Sequence, residues 1–247
     1  MLTVHDLSPN VEVIALGPAP ALPASLEAEV SAIWEKEKAQ RPDRLFDGRI
    51  FSVAALARER ISGCFVPYRR LIAGRASPAL FASLQVRPLA VSGLLTCADG
   101  IAFARRAAGL TDDPGRWELV PSGGVTPDCV DASGKVDLGR QILAELAEEV
   151  GMAASDVAMT GPFLAVEGGD SHVVDIGFAL ATPLVGDQVR ARHARQGSSE
   201  YTEIAVVAES EIPRFAASLG AALAPVSRAL LERRGLISAK PATGPGA

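Results

Sequence analysis

Apolar residues recur at two spacings along the chain, and each spacing predicts its own kind of element. Alternating or continuous apolar runs predict strands, whereas apolar positions three to four residues apart predict helices. Strands are therefore expected at 11–16, 51–56, 61–66, 86–96, 101–106, 117–121, 161–166, 172–179 and 204–208. Helices are expected at 26–39, 137–150 and 212–234. These elements follow one another without a regular βαβ alternation, which predicts an α+β fold with a mixed sheet.

Turn and capping residues sharpen several of these boundaries. Asp99-Gly100 lies between two strand-like runs and predicts a tight hairpin, because both residues tolerate positive φ. Ser25 is the predicted N-cap of the first helix, which Arg41-Pro42 ends. Gly151 follows the helix over 137–150 and is expected at its C′ position.

Three regions follow from this pattern. Residues 86–236 hold most of the predicted strands and helices and form the expected main domain. Residues 1–85 begin with an irregular lead-in and have too few apolar positions for a core of their own, so they are expected to pack on that domain. Residues 237–247 are rich in Pro, Gly and Ala and are predicted to be disordered.

The helix predicted over 137–150 has two distinct faces. An apolar stripe for the core recurs every four residues, at Leu138, Ile142, Leu146 and Val150. Glu145, Glu148 and Glu149 are related by helical spacing and bring three carboxylates together. Like charges at this spacing cost a few tenths of a kcal/mol per pair in an isolated helix. A hard divalent cation with oxygen ligands offsets that repulsion, although glutamates on a solvated helix face are also common.

Composition excludes several classes of function. The chain has 247 residues, 48% of them hydrophobic, and a net charge of −5 without a block of Lys or Arg. This balance argues against binding to nucleic acid or to a membrane surface, and no apolar run is long enough to span a bilayer. Three isolated cysteines and three histidines make a zinc site or a disulfide framework improbable, and they favour a cytoplasmic location. The first residues lack the charge and apolar pattern of a signal peptide.

The segment from Ala144 to Met152 resembles the second half of the Nudix hydrolase signature, G-x5-E-x7-R-E-U-x-E-E-x-G-U, with U aliphatic. It departs at the arginine, which is Ala144 here. If Gly124 opens the signature, Glu145 follows it by 21 positions instead of 15, so six residues are extra. Asp131 and Asp137 are the nearest candidates for the first glutamate, and Arg140 could supply the missing cation.

The resemblance implies a Nudix α/β/α sandwich and the hydrolysis of a nucleoside diphosphate linked to a second group. Glu148 and Glu149 would then bind the metal, and Glu145 would bind it or orient water. The carbonyl group of Gly124 would complete the metal shell. The implied cofactor is Mg²⁺, with Mn²⁺ as the alternative.

A second, partial resemblance points to the UDP-glucose pyrophosphatase branch of that superfamily. It rests on 44–51 and 68–74, on the insertion before the acidic helix, and on 188–193 and 198–204. It implies that UDP-glucose or UDP-galactose is cleaved to UMP and sugar 1-phosphate. The residues expected to contact substrate are Tyr68, Arg69, Arg70, Arg105 and Glu203.

The resemblance also implies a further metal-binding acid after the signature. Glu200 is preferred, Glu203 is the second candidate and Glu167 is the alternative in a flexible loop. His172 and His193 are interpreted as structural or surface residues, and the cysteines as small core residues with Cys129 exposed in the insertion.

Two other functions stay open. An ADP-ribose or dinucleotide pyrophosphatase would use the same acidic helix, because that helix acts on the diphosphate and does not select the base. A nucleotide-binding sensor without hydrolysis would explain the absent arginine at Ala144. Each alternative has a small-molecule nucleotide as partner, and a homodimer is a further expectation.

Overall fold

The structure is a computed structural model that describes residues 2–41, 45–110 and 112–239. Its strands are β1 (Leu2–Asp6), β2 (Glu12–Pro18), β3 (Arg49–Leu56), β4 (Arg60–Pro67), β5 (Leu89–Cys97), β6 (Gly100–Arg106), β7 (Trp117–Leu119), β8 (Ser122–Gly124), β9 (Ala158–Gly168), β10 (Val174–Ala181) and β11 (Tyr201–Val207). Its α-helices are α1 (Ala24–Gln40), α2 (Tyr68–Ala76), α3 (Pro78–Leu84), α4 (Leu138–Glu145), α5 (Gly186–Gln196), α6 (Ile212–Leu219) and α7 (Pro225–Arg233). The predicted α+β class is confirmed.

The described residues divide into two compact units. The first unit comprises those of 1–91, 122–143 and 161–176, and the second those of 92–121, 144–160 and 177–247. Strands β5, β9 and β10 and helix α4 each contribute residues to both units. The predicted boundary between residues 85 and 86 does not coincide with a boundary between the units.

The first unit contains two sets of paired strands. In a three-stranded sheet of order β2-β4-β3, β4 pairs in parallel with β2 and antiparallel with β3. Strand β1 pairs antiparallel with β9, with Val4 opposite Val166. An irregular segment was predicted at the N-terminus. That prediction is wrong, because residues 2–6 form a strand. Helices α1, α2 and α3 share a small core around Val30, Ala73 and Leu80.

The second unit is organised around the hairpin of β5 and β6. Thr96 lies opposite Ile101, so the turn predicted at Asp99-Gly100 is confirmed. Strand β11 extends the pairing on the other side of β6, antiparallel to it, and β7 also pairs with β6. The side chain of Asp99 accepts a hydrogen bond of 2.8 Å from the backbone N–H of Gly186, which begins α5.

Several predicted helix boundaries are corrected. Helix α1 starts at Ala24 after Pro23, so Ser25 lies inside the helix and is not its cap. The helix predicted over 212–234 is two helices, because Gly220 has φ of +53° and Pro225 starts α7. Pro42 and Arg44, and the part of the predicted tail at 240–247, lie outside the described residues.

Helices α2, α3 and α5 were not predicted as helices from the sequence. Within the described residues, no helix is both long and apolar enough to cross a membrane.

Candidate functional site

The acidic segment is an α-helix that ends in a wider turn. Helix α4 ends at Glu145, and residues Leu146–Val150 form a single π-helical turn, which we call the acidic turn. Its wider closure is shown by the N–H of Gly151, which donates to the carbonyl oxygen of Leu146 five residues earlier. The continuous α-helix predicted over 137–150 is therefore wrong in its last turn. Gly151 has φ of +71°, which confirms the predicted left-handed C′ position.

The apolar stripe of this segment packs in the interior, as predicted. Leu138 is 6% exposed, and Ile142, Leu146 and Val150 are fully buried. The three glutamates differ in exposure: Glu148 is exposed, Glu145 is half-buried and Glu149 is 2% exposed. π-Turns inside helices occur frequently at functional sites. This turn presents Glu148 to solvent while it holds Glu149 inside.

Helix α5 and the residues after it pack closely on the acidic turn. The N–H of Ser198 donates to the carbonyl oxygen of Glu148 at 2.9 Å. A Cβ atom added at Gly197 would lie 2.7 Å from the carbonyl oxygen of Glu149, and one added at Gly151 would lie 2.9 Å from that of Arg192. Both glycines are therefore needed for this close backbone approach.

Glu200 lies two residues beyond the contact at Ser198. It is half-buried, its carbonyl oxygen accepts from the N–H of Ala107 at 2.7 Å, and its own N–H donates to the hydroxyl of Ser198 at 3.3 Å. The backbone of Glu200 is thus fixed between β6 and the residue that contacts the acidic turn. Its carboxylate remains a predicted metal ligand.

Tyr201, the next residue after Glu200, belongs to a hydrogen-bonded network with the half-buried Arg106 and the buried Glu118. The guanidinium of Arg106 donates to Glu118 at 2.7 Å, and the hydroxyl of Tyr201 donates to the same carboxylate oxygen at 2.8 Å. Tyr201 is 3% exposed and Glu118 8%. Burial alone would lower the pKa of Arg106, but the negative charge of Glu118, together with smaller contributions that include Glu200, raises it.

This network was not predicted from the sequence. Arg105 and Arg106 are adjacent in a strand and so point to opposite faces of the sheet, which was the available signal. Arg105 is exposed and lies opposite Glu203, which is also exposed. Both remain predicted substrate contacts.

Gly124, the predicted carbonyl ligand, ends strand β8 and is exposed. A Cβ atom added there would meet no atom within 4 Å, so packing does not require a glycine.

The two aspartates proposed for the missing first glutamate have structural partners. Asp131 accepts hydrogen bonds from the N–H and hydroxyl of Ser133 and from the N–H of Lys135, at 2.6–3.0 Å. These bonds, the hydroxyl of Ser133 first, lower the pKa of Asp131. Asp137 accepts from the N–H of Arg140 at 2.9 Å at the start of α4. Both side chains therefore stabilise local turns of the insertion.

The basic residues predicted to bind substrate in the first unit are engaged in ion pairs. Arg69 contacts Asp47 at 2.9 Å and Glu27 at 2.8 Å. Arg70 donates to the carbonyl oxygen of Pro20 at 3.1 Å and lies 3.9 Å from Glu27. Tyr68 begins α2 and packs edge-on against Trp34. Their contact with substrate remains a prediction.

Glu167 lies on strand β9, so the flexible loop predicted for it is wrong. Arg87 binds its two carboxylate oxygens at 2.8 and 3.0 Å, and these bonds lower the pKa of Glu167. His172 stacks on Phe81 with ring centroids 3.9 Å apart, in line with a structural role. Cys129 is 3% exposed, so the exposure expected for it is also wrong.

The acidic turn offers suitable donors for a hard cation without a complete cage. Its carboxylates are the oxygen ligands that Mg²⁺ prefers. Among residues 2–41, 45–110 and 112–239, however, no three His, Cys, Asp or Glu side chains are grouped to hold a metal ion. Mg²⁺ commonly takes only one or two carboxylates and completes its shell with water and substrate phosphate. The residues fit a cation bound in that way.

Comparison with known proteins gives likeness at the level of the fold. No family model and no curated protein matches the sequence. DR0079 from Deinococcus radiodurans aligns over 75% of this chain and 98% of its own, with 12% identity and a TM-score of 0.50. A MutT protein from Methanosarcina mazei aligns over 59% and 91%, with 23% identity and a TM-score of 0.41. A Nudix hydrolase from Nitrosomonas europaea aligns over 60% and 88%, with 14% identity and a TM-score of 0.40.

The comparisons do not distinguish the UDP-glucose pyrophosphatase branch. At these identities they bear on the fold, and the activity must be argued from the site. The likeness to DR0079 is therefore one of fold alone, and the Nudix-type sandwich implied by the acidic segment stays a prediction.

Proposed function

We propose that this chain is a Mg²⁺-dependent hydrolase that cleaves the diphosphate of a nucleoside diphosphate derivative. The observation that carries the proposal is the acidic turn with the glutamate before it. Three glutamates, Glu145, Glu148 and Glu149, lie within five residues and range from exposed to buried. Glu149 is 2% exposed, so a merely solvated helix face does not describe this segment.

The three side chains have separate roles in this proposal. Glu148 and Glu149 are the cation ligands. Glu145 either joins them or accepts a proton from the attacking water. A cation held by these residues would supply positive charge for the diphosphate and the leaving phosphate. The carbonyl group of Gly124 and the carboxylate of Glu200 are further proposed ligands, and Mn²⁺ is the alternative metal.

The substrate proposed first is a UDP-sugar, hydrolysed to UMP and sugar 1-phosphate. It rests on the partial resemblance of 44–51 and 68–74 to the UDP-glucose pyrophosphatase branch. Arg105 and Glu203, which are exposed neighbours on paired strands, are its proposed polar contacts in the second unit. ADP-ribose or a dinucleotide is the second choice, because the acidic turn would act on any diphosphate.

A nucleotide-binding domain without hydrolysis is the competing proposal. Two observations favour it: Ala144 replaces the arginine of the signature, and no complete three-ligand group is found in the described part of the chain. Such a domain would bind nucleotide and release no product.

A hydrolysis panel distinguishes these proposals. UDP-glucose, UDP-galactose, ADP-ribose, diadenosine polyphosphates and coenzyme A are incubated with the full chain and Mg²⁺, and products are separated by chromatography. We expect UMP release from the UDP-sugars first, and none after removal of the metal. Glu148→Gln removes an exposed charge, so it should preserve the fold and reduce turnover by about 100-fold or more.

Glu209→Gln is the matched control, since Glu209 is also exposed in the second unit but lies outside the acidic turn. It should leave turnover unchanged. Unchanged activity in Glu148→Gln and Glu149→Gln would overturn the site. Nucleotide binding without hydrolysis of any compound would favour the sensor.

A further inference from the structure

A buried glutamine on helix α4 is hydrogen-bonded to the segment that follows Gly124. We propose that Gln141 is a positioning residue, which fixes the direction of the Gly124 carbonyl group by holding Thr126 on the helix. The inference rests on the proposed function, in which that carbonyl group is part of the binding site. It concerns residues of the first unit alone. It is carried by the hydrogen bonds of residues 125 and 126 and by the free space at Gly124.

Gly124 ends strand β8 at an exposed position where nothing in the fold requires a glycine. Its φ lies outside the left-handed range, and a Cβ atom added there would meet no atom within 4 Å. Glycine loses more conformational entropy on folding than alanine does. Its presence without a packing or backbone requirement therefore needs another reason, and close approach of a ligand to this backbone supplies one.

Strands β5 and β3 fix the residue after Gly124 on two sides. The N–H of Val125 donates to the carbonyl oxygen of Leu89 at 2.9 Å. The carbonyl oxygen of Val125 accepts from the N–H of Phe51 at 3.2 Å. Val125 is also fully buried, so its position is set by the two strands.

Helix α4 supplies a third contact through the side-chain oxygen of Gln141. That oxygen accepts from the N–H and from the hydroxyl of Thr126, at 3.2 Å in each case. Gln141 is 5% exposed, and a buried amide is costly unless its polar atoms are hydrogen-bonded. The carbonyl oxygen of Thr126 accepts from Sγ of Cys129 at 2.9 Å, so all three polar groups of Thr126 are engaged. The backbone after Gly124 is therefore held in a fixed orientation.

Loss of the Gln141 oxygen would release Thr126 while the two strands still hold Val125. The fold would survive this loss, but the peptide group of Gly124 would be less firmly oriented. A binding group must be held within about 0.5 Å of its productive position. Gln141 thus acts on ligand affinity through the backbone of Gly124 and not by contact with the ligand.

Equilibrium binding of UDP and ADP to the full chain tests the inference without turnover. Isothermal titration calorimetry in the presence of Mg²⁺ compares wild type with Gln141→Met, Thr126→Val and Thr126→Ser. Gln141→Met removes the acceptor at similar side-chain length and should weaken nucleotide binding by about 10-fold or more, the usual effect of losing a supporting residue. Thr126→Val removes one of the two hydrogen bonds to Gln141 and should cost less affinity. Thr126→Ser keeps both donors and should retain most of the affinity.

Ser227→Ala is the matched structural control. Ser227 is buried, and its hydroxyl accepts from the N–H of Leu119 at 2.8 Å, so this variant also loses a buried acceptor for a backbone N–H. Urea unfolding should show lower stability for Ser227→Ala and for Gln141→Met, but only Gln141→Met should bind nucleotide more weakly. Gly124→Ala should show weaker nucleotide binding at undiminished stability, because nothing in the fold lies within 4 Å of the added methyl group.

Unchanged nucleotide affinity in Gln141→Met would overturn the inference, and so would wild-type affinity in Gly124→Ala or no binding of either nucleotide by wild type. If circular dichroism shows that Gln141→Met does not fold, Thr126→Val decides the test against Thr126→Ser, and equal affinities of these two would overturn the inference. The proposed hydrolase would survive these results, provided that Glu148→Gln still reduces turnover. If Glu148→Gln and Glu149→Gln leave turnover unchanged, the proposed function itself fails.

Discussion

At the scale of single residues, the main difference among the charged side chains is whether they form an ion pair within the protein. Arg69 and Arg87 each bind a carboxylate at about hydrogen-bond distance, 2.8–2.9 Å, whereas Arg105 is exposed on its strand. Pairing of this kind stabilises the fold and reduces the charge available to a ligand. It therefore separates residues that hold the structure from those that can recognise a substrate.

Glu167 offers a test of this distinction through pH. Its pKa is lowered from 4.5, first by the hydrogen bonds from Arg87. A lowered folded pKa means that the pair contributes stability above the ordinary pKa, and that this contribution is lost as pH falls through the folded value. Glu167→Gln should therefore reduce the free energy of unfolding at pH 7 by about 1–3 kcal/mol.

Urea unfolding at a series of pH values measures the difference between wild type and Glu167→Gln. The difference should begin to shrink near pH 4.5 and continue to shrink at lower pH. Glu59→Gln, which removes an exposed pair 3.9 Å from Arg58, should cost at most about 1 kcal/mol at any pH. A loss in Glu167→Gln that stays constant down to low pH would contradict the ion-pair explanation.

The sequence identified candidate charges but not their partners. Helical spacing was enough to bring Glu145, Glu148 and Glu149 into one segment, because that relation is local. By contrast, Arg87 and Glu167 are 80 residues apart, and nothing in the local pattern of either one indicates the pair. The same holds for Glu118 and Tyr201, which are separated by 83 residues.

At the scale of elements, the acidic turn depends on what packs against it. The four-residue spacing of the apolar stripe does not distinguish an α-helical last turn from a π-helical one. Ile142, Leu146 and Val150 are buried in either geometry. The backbone of α5 approaches Gly151 so closely that a Cβ atom would lie 2.9 Å from the carbonyl oxygen of Arg192. Helix α5 was not predicted, so this constraint on the acidic turn could not be predicted either.

A comparison of two variants, Gly151→Ala and Gly115→Ala, distinguishes the destabilisation caused by backbone strain from that caused by packing against α5. Both glycines have φ near +70°, at +71° and +72°, so either alanine costs about 1–2 kcal/mol for the left-handed conformation. Only at Gly151 would the methyl group also meet backbone, because nothing lies within 4 Å at Gly115. Urea unfolding should therefore show a larger loss of stability for Gly151→Ala. Equal losses of stability in the two variants would show that α5 moves to accommodate the methyl group at no cost in free energy.

At the scale of the whole molecule, the sequence predicted most strands but not how distant segments combine. The runs at 51–56, 61–66 and 101–106 alternate clearly and lie within β3, β4 and β6. Strand β1 is short, and its partner β9 lies more than 150 residues later, so only the tertiary structure makes it a strand. Each unit is likewise assembled from three separated stretches of chain.

This assembly predicts that residues 86–236 will not fold as an independent domain. In the first unit, the carbonyl oxygen of Val125 accepts from the N–H of Phe51 at 3.2 Å, and that of Gly134 accepts from Ala15 at 2.8 Å. Removal of residues 1–85 would also leave the edge of β9 unpaired along its contact with β1. Unpaired strand edges and exposed core favour aggregation.

The fragment 86–236 should therefore show no cooperative thermal transition by circular dichroism and should bind a hydrophobic dye, whereas the full chain should unfold cooperatively. Addition of Mg²⁺ should not restore the transition, because the lost contacts lie in the first unit and the proposed glutamate ligands lie in the second. A fragment that melts cooperatively near the midpoint of the full chain would show instead that the first 85 residues are an accessory layer. In that case the hydrogen bonds to Val125 and Gly134 would contribute little to the stability of the domain.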